Sequence, residues 1–497
     1  MLNYLKNEAN KTYTENGAVA FSSTESDCLD LFSSIGAMRH RSEGDIISAF
    51  VKAYTENREL ALKTLFYARD VRGGLGERRV FRIILKWLAE NNSLSVIKNL
   101  GNIAEYGRYD DLLSLFDTPV EKAMLDYIKT VVGDDLHAIN HGGEVSLLGK
   151  WLPSVNASCE ATKRKAKKVA KHLEMSERIY RLFLTEARAR IRIIENNLRT
   201  KDYTFDYSKQ PSKAMMKYRK AFIRNDRERY AQFLNRVERG EAKLNADTLM
   251  PYELVHPYVS SGWTGKGFMR SISEEEKRSL NATWSSLPVY DTDDDVLPVI
   301  DTSGSMYWNV SPSPASVALS LGLYFAEHNK GAFRNHFIEF SNKPQLIGIK
   351  GDTFADRLRY VASFNEIADT NLEAVFTLIL DTAVKNGLKQ ESLPKKLLIV
   401  SDMEFNYCVS GADESVFLNA KRRFEEKGYT LPEVIFWNVA CRNDHRPVTK
   451  NEQGVCLVSG CTPRIFSAVV DNKLSELTPY KVMLEILGNE RYDAVAA

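Results

Sequence analysis

The stretch Val296–Met306, VLPVIDTSGSM, constrains the fold more than any other part of the chain. Five mostly apolar residues, Val296 to Ile300, run straight into Asp301-Thr302-Ser303-Gly304-Ser305. So short an apolar run before a Gly/Ser turn reads as a buried parallel strand that ends at a loop. In open α/β sheets, ligands bind at the carboxyl ends of such strands. Asp301, Ser303 and Ser305 alternate along the loop, so one carboxylate and two hydroxyls can converge on a point. Hard oxygen donors of this kind suit Mg²⁺, which keeps waters and takes few carboxylates, or a similar cation such as Mn²⁺. The plainer alternative is an Asx/Ser turn that caps a helix.

Two later pieces fit the same site. Lys396–Val400 (KLLIV) is another apolar run, and it ends in Ser401-Asp402, a second carboxylate at the same sheet edge. Between them, Thr370 sits in a loop before the helical pattern of Leu372–Val384 and can supply a third hydroxyl. This order, D-x-S-x-S, then T, then D, resembles the metal-ion-dependent adhesion site (MIDAS) of von Willebrand A domains. On that resemblance the metal ligands are Asp301, Ser303, Ser305, Thr370 and Asp402.

The 497 residues suffice for two to four domains, each with its own core. Charged residues at 27% and hydrophobic ones at 44% are ordinary for a soluble globular protein. No run of about 18 apolar residues predicts a membrane span, and the first residues lack the basic-then-apolar pattern of a signal peptide. The six cysteines form no C-x-x-C pair, so reduced thiols in a cytoplasmic protein are expected rather than a zinc site.

The net charge of +2 hides an uneven distribution. Residues 150–240 hold 24 Lys/Arg against 10 Asp/Glu, a local +14; subtraction from 67 and 65 leaves 43 against 55 elsewhere, or −12. A basic segment between acidic flanks is the footprint of a polyanion-binding surface. Its lysines and arginines can contact phosphates, and Tyr or Phe beside them can stack unpaired bases. Solvated helix faces with aromatics in the core are the plainer reading of the same pattern.

In chain order, residues 1–25 read as a polar, loosely packed lead-in. From Ser26 to Val132 short amphipathic helices follow one another with no strand signal, which predicts a stacked helical array. Within it, Arg69–Arg79 (RDVRGGLGERR) places three glycines between two helices. They permit a sharp bend or a close backbone approach, with arginines that are either functional or simply solvated. Glu177–Asn197 reads as one long helix, Gly262–Gly267 (GWTGKG) as a loop, and Asp291–Asp295 (DTDDD) as an acidic linker. Strands at Val296–Ile300, Asn335–Phe340, Lys396–Val400, Glu433–Val439 and Val455–Ser459 alternate with helices, and Gln345–Ile349 reads as an antiparallel edge. This is a doubly wound α/β sheet.

Arg69–Arg79, Tyr106–Leu112 (YGRYDDL), Lys150–Ser154 (KWLPS), Pro211–Arg224 (PSKAMMKYRKAFIR) and Asp301–Met306 (DTSGSM) together resemble the Ro ribonucleoprotein family. They are closer still to relatives catalogued as domain of unknown function 2828. The resemblance implies an all-α TROVE module of HEAT-like repeats over 1–285, possibly closed into a ring, joined to a von Willebrand A-like domain over 286–497. It further implies small structured RNAs on an outer basic face, single-stranded 3′ ends of misfolded RNAs in the ring, and an exoribonuclease as a partner.

The expected function is therefore an RNA-binding scaffold of ribonucleoprotein type with a divalent-metal site. The RNA contacts chosen on electrostatic grounds are Lys163, Arg164, Lys167, Lys168, Arg188, Arg192, Lys213, Lys217, Arg219, Lys220 and Arg224. The alternative is a protein-interaction or structural assembly protein whose metal accepts a partner's carboxylate, without physiological RNA binding. No Ser/His/Asp set, P-loop or paired-carboxylate motif stands out, and two-metal nucleases need more carboxylates than this site offers. The chain is expected not to be an enzyme.

Overall fold

The computed structural model describes residues 1–259, 271–290, 294–339, 343–364, 370–407, 414–470 and 474–497. A hairpin of β1 (Lys11–Tyr13) and β2 (Val19–Phe21) precedes a helical part, and a six-stranded sheet follows it. The sheet strands are β3 (Val296–Ile300), β4 (His336–Glu339), β5 (Gln345–Gly348), β6 (Lys396–Ser401), β7 (Glu433–Asn438) and β8 (Val455–Ser459). Their spatial order is β5-β4-β3-β6-β7-β8, with β5 antiparallel and the other pairings parallel.

Every residue of β3, β6 and β8 is buried, which is why these strands are apolar runs rather than alternating ones. Alternation shows instead in which side is covered. Ile300, Leu398, Val400, Ile435 and Trp437 share a core with helix Pro314–His328 and the helical part. Val299, Leu397, Ile399, Val434 and Phe436 pack on the other side with helices Leu372–Asn386 and Val416–Glu426. The chain leaves β3 toward β4 on one flank and returns to β6 on the other. The carboxyl ends of β3 and β6 therefore form the switch point where doubly wound sheets open a crevice.

The helices begin where a side-chain oxygen can take up a free amide at the first turn: Ser26, Ser42, Asn57, Ser176 and Ser273 each do so. Helix Glu43–Glu56 packs between Asp27–Ser34 and Arg58–Arg69, and Glu160–His172 and Glu177–Arg190 lie on Glu121–His141. No helix among the described residues is long and apolar enough to cross a membrane.

The two parts interlock. The lead-in expected to be loose is instead built into the sheet unit: Thr14, Ala18, Val19 and Ala20 are buried. The Thr14 hydroxyl donates to the carbonyl of Phe405 at 2.5 Å, and Ala18 belongs to the core on the far side of the sheet. The burying residues are small, so the polar composition concealed them. Helix Asp27–Ser34 packs on β8, and helix Pro251–Val255 packs on Pro314–His328, so the helical part rests on the sheet unit at both its ends. In return, the segment 490–497 lies across the helical part. The Tyr492 hydroxyl donates to Asp70 at 3.1 Å, while Asn99 and Asn102 donate to the carbonyls of Ala496 and Ala494 at 2.6 and 2.8 Å.

The long helix expected over 177–197 is two, Glu177–Arg190 and Ile194–Thr200. Arg192 between them has φ +53°, a left-handed residue that turns the chain and seats Ile194 in the core. GWTGKG (262–267), residues 291–293 of the acidic linker and Phe340 at the end of an expected strand lie outside the described residues.

Candidate functional site

At the switch point, the loop after β3 and the end of β6 face each other. The Asp301 amide continues the sheet by donating to the Val400 carbonyl at 3.0 Å. That fixes its carboxylate, whose Oδ1 accepts from the Ser303 amide at 2.9 Å and Oδ2 from the Ser401 hydroxyl at 2.5 Å. The Ser303 and Ser305 hydroxyls lie 3.1 Å apart, and the Ser305 hydroxyl bonds to Asp402. Thr370 is buried on the adjoining loop, its carbonyl accepting from the Asn406 amide at 2.9 Å. The structure brings Asp301, Ser303, Ser305 and Asp402 together, with Thr370 tied to the segment that leaves Asp402.

Asp301 is fully buried and Asp402 only 2% exposed. Burial, then the charge of Asp301, pushes the Asp402 carboxyl up to about 7, while Arg442 pulls the other way. Burial likewise raises Asp301, against the hydrogen bonds from Ser401 and Ser303. The hydroxyls of Thr302 and Tyr307 are buried beside this corner without a hydrogen-bond partner among the described residues. Two crowded carboxylates, neighbouring hydroxyls and orphaned polar atoms fit a hydrated, oxygen-preferring cation. Among the described residues no three His, Cys, Asp or Glu side chains are placed to share an ion. An ion held here would take hydroxyls and waters for most of its shell.

Reading motifs by spacing alone missed Arg442. Its Nε donates to Asp402 Oδ2 at 3.1 Å and its Nη2 pairs with Glu15 at 2.9 Å. A signal existed: the polar run CRNDHR, Cys441–Arg446, follows β7, and loops after parallel strands share one sheet edge. Beside Arg442 opens a cleft of about 180 Å³ between the helical part and the sheet unit, lined also by Arg41, His40, Asn443 and Trp308.

The basic residues divide. Arg219 is a correction to the expected surface: it is buried, donating to the Tyr258 hydroxyl and pairing with Glu276 at 3.3 Å. Arg188 is a second, since its guanidinium donates to the carbonyls of Gly149 and Leu152 at 2.9 and 3.0 Å. Both sit on the inward side of helices whose other faces are wet, which spacing in a lysine-rich helix does not reveal. Lys163, Lys167, Lys168, Lys213 and Lys220 each pair with a carboxylate. Lys217 lies over the Tyr218 ring, and Arg224 donates to Asn225. Arg164 and Arg192 are exposed. Lys171, Arg178 and Arg181, which lie in the basic helices but outside the RNA contacts chosen from sequence, are also exposed, and among the described residues they and Arg164 form no salt bridge. Ile179 and Leu182 stand out of the same helix, 54% and 57% exposed.

The RGG element is a structural hub. Arg69 is buried on Asp111 at 2.7 Å, Asp70 holds Arg491, and Arg39 pairs with Glu77. A Cβ on Gly74 would lie 2.0 Å from the Tyr67 carbonyl oxygen, so the bend requires glycine. The motif Tyr106–Leu112 supplies Asp110 and Asp111 to this cluster, and Trp151 of KWLPS stacks under Arg108 at 4.2 Å.

The family model described as domain of unknown function DUF2828 matches residues 14–132 and 129–291, and that described as DUF7788 matches 295–486. The uncharacterized protein L728 of Acanthamoeba polyphaga mimivirus is 28% identical over 520 residues, covering 96% of this chain and 87% of that protein. Among solved structures, the Ro (RSR) protein of Deinococcus radiodurans aligns over 93% of both chains, with 13% identity and a TM-score of 0.35.

Proposed function

We propose that this chain, which belongs to the family of domain of unknown function DUF2828, is a non-catalytic RNA-binding scaffold. One observation carries the reading: Arg164, Lys171, Arg178 and Arg181 stand exposed on two adjoining helices and form no salt bridge among the described residues. Exposed cations on neighbouring helices attract a polyanion through counterion release, whatever its sequence. The exposed Ile179 and Leu182 between them offer apolar contact to unpaired bases. The resemblance of the sequence motifs to Ro ribonucleoproteins supports the same reading, with small structured or misfolded RNA as the ligand. The contacts of helices Asp27–Ser34 and Pro251–Val255 with the sheet unit are ones a HEAT-like ring would need.

Reversing the four exposed cations to glutamate is the test. RNA affinity at moderate salt should fall by about 100-fold or more, since each lost phosphate contact and each new repulsion adds to the loss. Reversing four paired lysines elsewhere should change it little. An unchanged affinity in the first variant would refute the reading.

The carboxylate and hydroxyl corner supports a second, separate role. Asp301, Ser303, Ser305, Thr370 and Asp402 would hold Mg²⁺ or Mn²⁺, leaving a position for a carboxylate from a partner protein. Asp301→Ala should then abolish metal binding and that partner while leaving RNA binding intact.

A further inference from the structure

The geometry points to a nucleoside 5′-phosphate site in the cleft between the helical part and the sheet unit. Its lining holds two guanidiniums, that of Arg41, anchored on the Arg442 main-chain carbonyl, and that of Arg442, anchored on Asp402. Both are held by acids: Arg41 lies 3.1 Å from Asp444 and 3.3 Å from Asp45, and Arg442 lies 2.9 Å from Glu15 and 3.1 Å from the buried Asp402. Asp444, Glu15 and Asp45 are 69%, 48% and 47% exposed, so water already competes for them and a phosphate dianion can displace them, while the buried Asp402 keeps Arg442 in place. A pair of anchored guanidiniums offers the forked donors that phosphate oxygens accept.

The lining is also aromatic. Trp308 is 45% exposed, with the His40 ring set edge-on at 6.0 Å. A large indole left half bare at the mouth of a polar cleft is the platform a base stacks on. The Asn443 side-chain amide is held by Glu15 and Glu404 through its nitrogen, at 3.0 and 2.8 Å. Its oxygen is thereby aimed as an acceptor for a base amine. The volume of about 180 Å³ admits one ring and one phosphate rather than a larger cofactor. The site needs no metal ion, although Arg442 joins it to the carboxylate corner through Asp402.

The test is isothermal titration of the full chain with UMP and AMP in EDTA, alongside uridine, inorganic phosphate and the 5′-phosphorylated dinucleotide pUpU. We expect saturable submillimolar binding of a mononucleotide, weakened at least tenfold by loss of the phosphate or by loss of the base. Arg41→Gln and Trp308→Ala, both partly exposed, should each weaken it at least tenfold with unchanged thermal melting. Tenfold tighter pUpU would make the natural ligand the end of an RNA chain, and equal affinity a free nucleotide. No saturable binding, or binding that both variants leave intact, would overturn the proposal.

Discussion

Asp301 and Asp402 are two carboxylates in one buried corner, with Arg442 reaching only the second of them. The folded protein keeps a proton on this pair that the unfolded chain has lost, from about pH 4, the ordinary aspartate value, to about 7. The folded state therefore binds more protons across that window, and its stability falls as pH rises through it. A divalent cation needs the pair ionised, so it reverses this loss. The rise in melting temperature on adding Mg²⁺ should be larger at pH 8 than at pH 5.5, and absent in Asp301→Ala. Equal shifts at both pH values would contradict the metal reading. Arg219 behaves differently from its neighbours: removing it takes the buried guanidinium from Glu276, which keeps the Tyr258 hydroxyl at 2.5 Å and the exposed Lys220 at 3.6 Å. Arg219→Ala should cost about 3 kcal/mol in denaturant unfolding, whereas Lys217→Ala should be nearly neutral. The Asp301, Ser303 and Ser305 spacing was legible because all three lie on one loop. Arg442 was not, because only the strand order carries it to Asp402. Arg219 and Lys217, two positions apart, look alike until packing separates them.

Among the elements, helix Asp27–Ser34 shows how closely the two parts are joined. A Cβ at Gly36, just beyond it, would lie 2.7 Å from the Ser459 backbone, so the helix meets β8 without room for a methyl group. Gly36→Ala should cost about 2 kcal/mol by forcing them apart. Gly101→Ala, in a helix with open space around it, should instead stabilise by about 0.5–1 kcal/mol. Chemical unfolding of both variants checks the pair. The central strands of the sheet were legible because burial on both sides makes them apolar runs, whereas the edge strand β5 exposes Gln345 and Leu346 and buries only Ile347. The β1–β2 hairpin was not legible: three-residue strands, Lys-Thr-Tyr and Val-Ala-Phe, among polar residues carry too little periodicity to register. The break at Arg192 was hidden for a similar reason, since Ile191, Ile193 and Ile194 continue an apolar stripe through the turn.

At the scale of the whole molecule, the expected boundary at 285/286 separates helices from sheet in sequence but not in packing. One core runs from Cys28 to Val495, the hairpin 11–21 seals the sheet unit, and residues 490–497 cross the helical part. The residues 286–497 expressed alone should therefore bind hydrophobic dyes and lack a sharp melt, while the full chain unfolds in one transition. Two separate transitions in the full chain would refute the shared core. Composition made the charge asymmetry plain, but only the fold shows which cations are spent on internal pairs. The most direct test of the RNA-scaffold reading is equilibrium binding to a structured RNA with and without a single-stranded 3′ tail, across a salt series. The account predicts tight, tail-dependent binding, with a log–log salt slope of about −4 or steeper that flattens when Arg164, Lys171, Arg178 and Arg181 are reversed. Weak binding that ignores both the tail and these four residues would contradict it.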